Sequence, residues 1–284
     1  GLYTNVYAQH SQISTMIKDN RVQGVSLTGS ERAGRAIASQ AGEALKKCVL
    51  ELGGTDAYVV LDSSDVKSAA ETAWNKRIGN VGQACTSNKR MIVMEDIYDE
   101  FVQALVDLAS SYTEGDPLNP GEGNEFYPLS SRDAAELLAQ QLRLAVDEGA
   151  NLHVGGEVTG KGAYITPAVI TDIPVGSDSY YEEFFGPVAE VYKVSSEEEA
   201  VELANDSRYG LGGAVMSEDE ERGKRVAAKI DTGMIHVNIP QARGAELPFG
   251  GVKASGLGRE LGPLGMDEFV NLQRFYVAGS DSAV

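Results

Sequence analysis

Between Val25 and Leu61 strand-like runs alternate with a helical stretch, and that alternation limits the chain to few folds. Val25-Ser26-Leu27-Thr28 runs into the turn Gly29-Ser30, and residues 31–45 then carry Ala, Ile and Leu at helical spacing. Cys48-Val49-Leu50 reads as a second strand, broken by Gly53-Gly54, and residues 57–61 as a third. Successive strand, turn and helix units predict an α/β protein with a parallel sheet.

The same grammar continues. Val66, Ala69, Ala70, Ala73 and Trp74 share one helical face, with an end near Gly79. A strand is expected at 91–94, helices around 97–108 and 133–146, and a Gly- and Pro-rich surface loop at 115–123. Further on, strands are expected at 164–170, 214–216 and 234–237. Helices are opened by Ser196 with Glu199 and by Ser217 with Glu220. No repeat or low-complexity tract interrupts the pattern.

Composition excludes several classes. With 42% hydrophobic and 23% charged residues the chain is an ordinary globular sequence. No apolar run approaches the ~20 residues of a membrane span, and no secretory signal pattern opens the chain, so a cytoplasmic protein without a membrane partner is expected. A net charge of −18 opposes nucleic-acid binding. The two cysteines are too few for a disulfide framework, and His10, His153 and His236 lack metal-ligand spacing, so no metal is expected.

Cys85 lies in the small, polar stretch Asn80-Val81-Gly82-Gln83-Ala84-Cys85-Thr86-Ser87-Asn88, where backbone amides can approach a thiolate. It reads either as a reactive thiol or as an inert small hydrophobe. Cys48, in an apolar strand, reads as core. Glu51 ends the second strand at the sheet edge where α/β folds place ligands, and is either a general base or a solvated acid. Gly29-Ser30-Glu31-Arg32-Ala33-Gly34 sits at a strand-to-helix turn suited to a pyrophosphate, without the usual GxGxxG spacing. Gly256, Gly258 and Gly262 are rejected as a phosphate loop, because no strand precedes them. Glu182-Glu183-Phe184-Phe185-Gly186-Pro187 joins acids to aromatics before a turn. It is either a ribose-binding element or a loop pinned by its rings.

Taken in order, Val49-Leu50-Glu51-Leu52-Gly53-Gly54, Gly82-Gln83-Ala84-Cys85, Glu183-Phe184-Phe185-Gly186-Pro187 and Leu247-Pro248-Phe249-Gly250-Gly251 with Ser255-Gly256 resemble the aldehyde dehydrogenase superfamily. The resemblance extends from about Val25 through the tail. It implies an aldehyde dehydrogenase-like α/β fold: the end of a Rossmann-type dinucleotide-binding domain at 1–52, a catalytic α/β domain at 53–249, and a docking and oligomerisation segment at 250–284.

By that resemblance Cys85 attacks a small aldehyde, its backbone amide holds part of the oxyanion, and Glu51 activates the water that releases a carboxylic acid. Thr28, Gly29, Ser30, Gly34 and Leu52 correspond to the cofactor's pyrophosphate side. Glu183 corresponds to the acid on the nicotinamide ribose and Phe185 to the ring beside it. Asn238, Thr86 and Phe249 fall near the aldehyde pocket. The cofactor is NAD or NADP, because the residues that usually meet the adenosine 2′ position precede the matched part.

Gly82-Gln83-Ala84-Cys85-Thr86-Ser87-Asn88-Lys89-Arg90 and Gly256-Leu257-Gly258-Arg259-Glu260-Leu261 are most similar to the branch of succinate semialdehyde and related small-aldehyde enzymes. Ser87 stands where some of that branch carry a second cysteine, so no thiol switch is expected. Ile78 replaces a usual Phe, a change expected to affect packing only. A homodimer or homotetramer is implied, with 269–277 as the oligomerisation strand.

The family's first strands, its oxyanion Asn and its adenosine-ribose Lys are not found before Val25, and 1–20 resembles the helix after that Lys. The chain is therefore expected to be a fragment, poorly active alone. The alternative is a catalytically silent folded or oligomerising module. An acylating, coenzyme A-dependent enzyme is disfavoured by the presence of Glu51.

Overall fold

The computed structural model describes residues 1–160 and 162–278. In chain order its elements are α1 (His10–Lys18), β1 (Gly24–Thr28), α2 (Glu31–Glu43), β2 (Lys47–Glu51), β3 (Ala57–Val60), α3 (Val66–Ile78) and β4 (Arg90–Met94). There follow α4 (Glu95–Ser111), β5 (Thr113–Glu114), β6 (Glu125–Phe126), α5 (Arg132–Glu148), β7 (Asn151–Val154), β8 (Ala168–Thr171) and β9 (Val188–Val194). The remainder comprises α6 (Glu197–Asn205), β10 (Tyr209–Gly210), β11 (Gly213–Met216), α7 (Glu220–Ala227), β12 (His236–Val237), β13 (Val252–Lys253), β14 (Gly256–Leu257) and α8 (Gly262–Asp267).

Two sheets frame the site. The larger has the order β12-β11-β3-β4-β9-β8-β7, parallel throughout except for β7 at its edge. The smaller has the order β1-β2-β14, with β1 and β2 parallel and β14 antiparallel. The connection 52–56 joins them. β3 is buried at every position because helices cover both faces of the large sheet. Val59, Ile92 and Ile170 pack with α5 on one face, while Tyr58, Val60, Met91 and Val93 pack with α3 and α4 on the other.

Helix starts follow local chemistry. Ser30, Asp65, Ser131 and Ser196 each accept a hydrogen bond from a first-turn amide, offsetting donors that lack an intrahelical acceptor.

Several expectations need correction. Ser217 does not cap α7; Asp219 does, accepting from the Glu221 and Arg222 amides. The strand expected over 164–170 starts only at Ala168, since Pro167 has no N–H for a ladder. Its antiparallel partner β7 was not expected. The strand at 234–237 shrinks to His236–Val237, and the helix at 1–20 to His10–Lys18. A two-residue strand, β13, does precede the glycines of 256–262, whose first pairs with Glu51 as part of β14. Within the single chain residues 269–277 are not a strand: the Phe269 ring packs against Gly24 of β1, and Leu272, Phe275 and Tyr276 are exposed. Cys48, expected in the core, is only half-buried.

Candidate active site

Cys85 sits on the turn between α3 and β4, half-buried. The connection after β2 passes so near that a Cβ at Gly54 would stand 2.8 Å from the Cys85 carbonyl oxygen. From the other side comes the loop that carries Glu183. Its Oε1 accepts from the Gly54 amide at 3.1 Å and from Lys89 Nζ at 3.0 Å. Lys89, with 0% of its side chain exposed, also donates to the carbonyls of Ala84 at 2.9 Å and Cys85 at 3.0 Å. One ammonium therefore holds the Cys85 turn and Glu183 together. Phe185 covers it, its ring centre 5.6 Å from Nζ.

Arg77, fully buried on the face that α3 turns inward, braces the same turn. It donates to the carbonyls of Gly82, Phe184 and Val188 and to Ser87 Oγ. Gly82 has φ +73°, and a Cβ there would lie 2.1 Å from the Gly186 carbonyl oxygen, so the two loops meet where only glycine fits.

Burial pushes the Cys85 thiol above its ordinary range; the Lys89 charge opposes that shift, Asp56 adds to it, and the Thr86 amide donates to the thiol and lowers it. Asp56, wholly buried, accepts from the Gly212 amide at 3.0 Å, and its carboxyl is pushed up to about 6, chiefly by desolvation.

Glu51 is placed differently. Its carbonyl accepts from the Gly29 amide at 2.9 Å, which ties it to the β1–α2 turn. The residue is 2% exposed, its carboxyl packed against Gly250, and neither oxygen has a hydrogen-bond partner among the described residues. Desolvation, with the Glu260 charge second, pushes it up to about 8. The structure thus makes no hydrogen bond between Glu51 and Cys85.

Thr28, Gly29 and Ser30 form the exposed entry to α2, and Gly34 packs against the Leu52 side chain. Thr86 and Phe249 line one cavity of about 820 Å³ together with His236, Gln241, Arg243 and Leu247. Asn238 is not among them. Its side chain accepts from the Ser217 amide and borders a separate cavity beside Asp62 and Asp65.

Lys89, Arg77, Asp56 and Arg243 were not singled out from sequence. A signal existed for Arg77, which falls in helical phase with Ala70, Ala73 and Trp74, so that a cation occupies a buried stripe. Lys89 likewise leads directly into the buried strand β4, whose first residue is Arg90.

A two-sheet α/β frame thus brings a half-buried cysteine, the Glu183 carboxylate and the Lys89 ammonium together at one turn, beside a cavity that Thr86 lines. The chain belongs to the aldehyde dehydrogenase family, whose profile matches residues 1–275.

It is 50% identical over 272 residues to a succinate-semialdehyde dehydrogenase (NADP+) of Deinococcus radiodurans, covering 95% of this chain and 57% of that protein. It is 41% identical to the succinate semialdehyde dehydrogenase Sad of Escherichia coli, covering 96% of this chain and 59% of that one. Among solved structures, succinic semialdehyde dehydrogenase from Streptococcus pyogenes in complex with NADP+ superposes with a TM-score of 0.91 at 46% identity, over 96% of this chain and 60% of that chain. Betaine aldehyde dehydrogenase from Staphylococcus aureus in complex with NAD+ gives 0.84 at 33% identity, over 90% and 51%. The chain thus spans less than two thirds of the length of these relatives.

Proposed function

We propose that this chain carries the catalytic part of an NAD(P)-dependent aldehyde dehydrogenase acting on a small aldehyde with an acidic end, such as succinate semialdehyde. The observation that carries the reading is the convergence of Cys85 and Glu183 on Lys89, with the Gly54 amide donating to the same Glu183 oxygen, next to a cavity that Thr86 lines. Among the described residues Arg243 is the one permanently charged side chain lining that cavity, and no acid lines it with Arg243, which supports a carboxylate on the substrate. The similarity to succinate-semialdehyde dehydrogenases supports the same choice.

The residues present fit two parts of a dinucleotide. At the entry to α2 the Ala33 amide is taken by Ser30, while the Glu31 and Arg32 amides lack intrahelical acceptors beside the exposed Gly29, fitting a pyrophosphate. Glu183 retains acceptor capacity on its second oxygen, fitting ribose hydroxyls. NADP is the cofactor named for the Deinococcus relative, and it fits these residues as NAD does. When bound, the nicotinamide supplies the acceptor for the hydride that leaves the substrate.

In this reading Cys85 gives its thiol proton to water and its sulfur forms a bond to the aldehyde carbon, while the Cys85 amide donates to the oxygen that takes the electron pair. After oxidation the acyl group remains on Cys85 as a thioester. Glu51, rotated away from Gly250 and ionised, takes a proton from the water that attacks the acyl carbon. The carbon–sulfur bond breaks, giving the carboxylic acid and the free thiol. A soluble, homo-oligomeric protein accords with this role.

The test is aldehyde-dependent NAD(P)H formation by the wild-type chain and by Cys85→Ala and Glu51→Gln. Loss of all turnover in Cys85→Ala and a burst without steady turnover in Glu51→Gln are expected. Normal turnover in Cys85→Ala would remove Cys85 as nucleophile. A wild-type chain that folds but never turns over would leave the silent-module alternative.

A further inference from the structure

We propose that Lys89 is a positioning residue whose ammonium couples Glu183 to Cys85, so that one buried charge both fixes the turn and favours the Cys85 thiolate. The proposal rests on the reading of Cys85 as the nucleophile.

An ammonium has three donors, and here three oxygens take them: the Ala84 carbonyl, the Cys85 carbonyl and Glu183 Oε1. None of the side chain reaches solvent. Removing a charged group from water costs several kcal/mol, which these three oxygens offset, and an apolar side chain of similar length would leave them unpaired. Two of its acceptors are the peptide oxygens on either side of the Cys85 α-carbon, which keeps the charge close to that residue whatever rotamer the thiol adopts.

The surroundings give this charge its effect. Asp56 in the connection just before β3 and Glu183 in the loop before β9 act on the thiol with negative charge. Lys76 on α3 adds a positive group that desolvation weakens, with Arg243 acting on Lys76 from the cavity loop. Glu190 on β9 lies within the field of Lys89 and is pushed up to about 7 by its own burial. Among these groups Lys89 alone contacts the Cys85 backbone and an acid of the site at once. Whatever engages the Glu183 carboxylate is consequently felt at Cys85.

The experiment measures the pH dependence of Cys85 alkylation by iodoacetamide on the full chain. Peptide mass spectrometry separates Cys85 from Cys48, which serves as an internal control. In Lys89→Met the rise of the Cys85 rate moves to higher pH, and the rate at neutral pH falls about tenfold, equivalent to ~1 unit in thiol pKa. In Glu183→Gln, which removes the opposing acid, the rise moves to lower pH. Cys48 is unchanged in both.

A wild-type profile for Cys85 in Lys89→Met with Cys48 unchanged would overturn the proposal. If Lys89→Met instead unfolds the chain, seen as faster labelling of Cys48, Glu183→Gln decides: a downward shift supports the coupling and an unmoved profile refutes it. Labelling needs no turnover. A Lys89-dependent profile in a chain without aldehyde activity would therefore reject the proposed function while the coupling stands.

Discussion

Arg77 Nη2 donates to the Phe184 carbonyl at 2.7 Å, tying the helix before Cys85 to the loop that carries Glu183 and Phe185. The same guanidinium reaches Ser87 Oγ at 2.7 Å and the Gly82 carbonyl at 3.1 Å. Replacing it by Leu strands these buried acceptors, and Arg77→Leu is expected to lose about 3–5 kcal/mol of stability in urea unfolding. Arg77→Lys should recover only part, because an ammonium lacks the planar fork that serves several oxygens at once.

Gly82 occupies a position no side chain can share. Its left-handed φ of +73° and the 2.1 Å approach of the Gly186 oxygen to a would-be Cβ both act against Ala. Gly82→Ala is expected to cost about 2–4 kcal/mol in urea unfolding, within the range for backbone strain joined to a steric clash. Turnover should fall further than stability, since the displaced turn is the one bearing Cys85.

Glu51 predicts a pH signature. Its folded carboxyl is raised from 4.5 to about 8, so the folded state holds a proton that the unfolded state has released between those values. Its contribution is thus fully present below the unfolded value and is lost as pH rises through about 8. Glu51→Gln, which stays neutral, should match wild type in Tm at mildly acidic pH and exceed it increasingly toward alkaline pH. Deacylation, which needs the ionised form, should rise over the same range in pre-steady-state kinetics. An unchanged Tm difference across pH would show that Glu51 is already ionised in the folded state.

Arg243 predicts selectivity. In Arg243→Gln, KM for an aldehyde ending in a carboxylate should rise about tenfold or more, the scale of a charge-assisted hydrogen bond. A neutral aldehyde of equal length should be turned over as in wild type. Equal effects on both substrates would place the carboxylate elsewhere.

The parallel strands and their helices were legible because residues buried on both faces leave continuous apolar runs, as in Ala57–Val60, and because Ser30 and Ser196 advertise helix starts. β7 was not, since an edge strand with one covered face shows only the short pattern Asn-Leu-His-Val. Pairs such as Gly256–Leu257 are strands only because β2 lies beside them. Residues 269–277 show the converse: an apolar run that pairs with none of the described strands forms none.

In the site, the motifs around Cys85 and Glu183 could be read locally. The roles of Lys89 and Arg77 could not, because their partners are backbone carbonyls, which every residue carries and no sequence pattern distinguishes. The neighbourhood of Asn238 was illegible for a similar reason: it depends on the amide of Ser217, supplied by another strand end.

Glu51 belongs to the small sheet and Cys85 to a turn on the large one, joined through the connection 52–56. Chemistry that needs both would therefore report on the seam between two cooperative units rather than on either alone. Mild denaturant that opens this seam should silence the protein while amides of β3 and β4 remain protected from hydrogen exchange. Function would be the first casualty of partial unfolding, well before the molecule as a whole gives way.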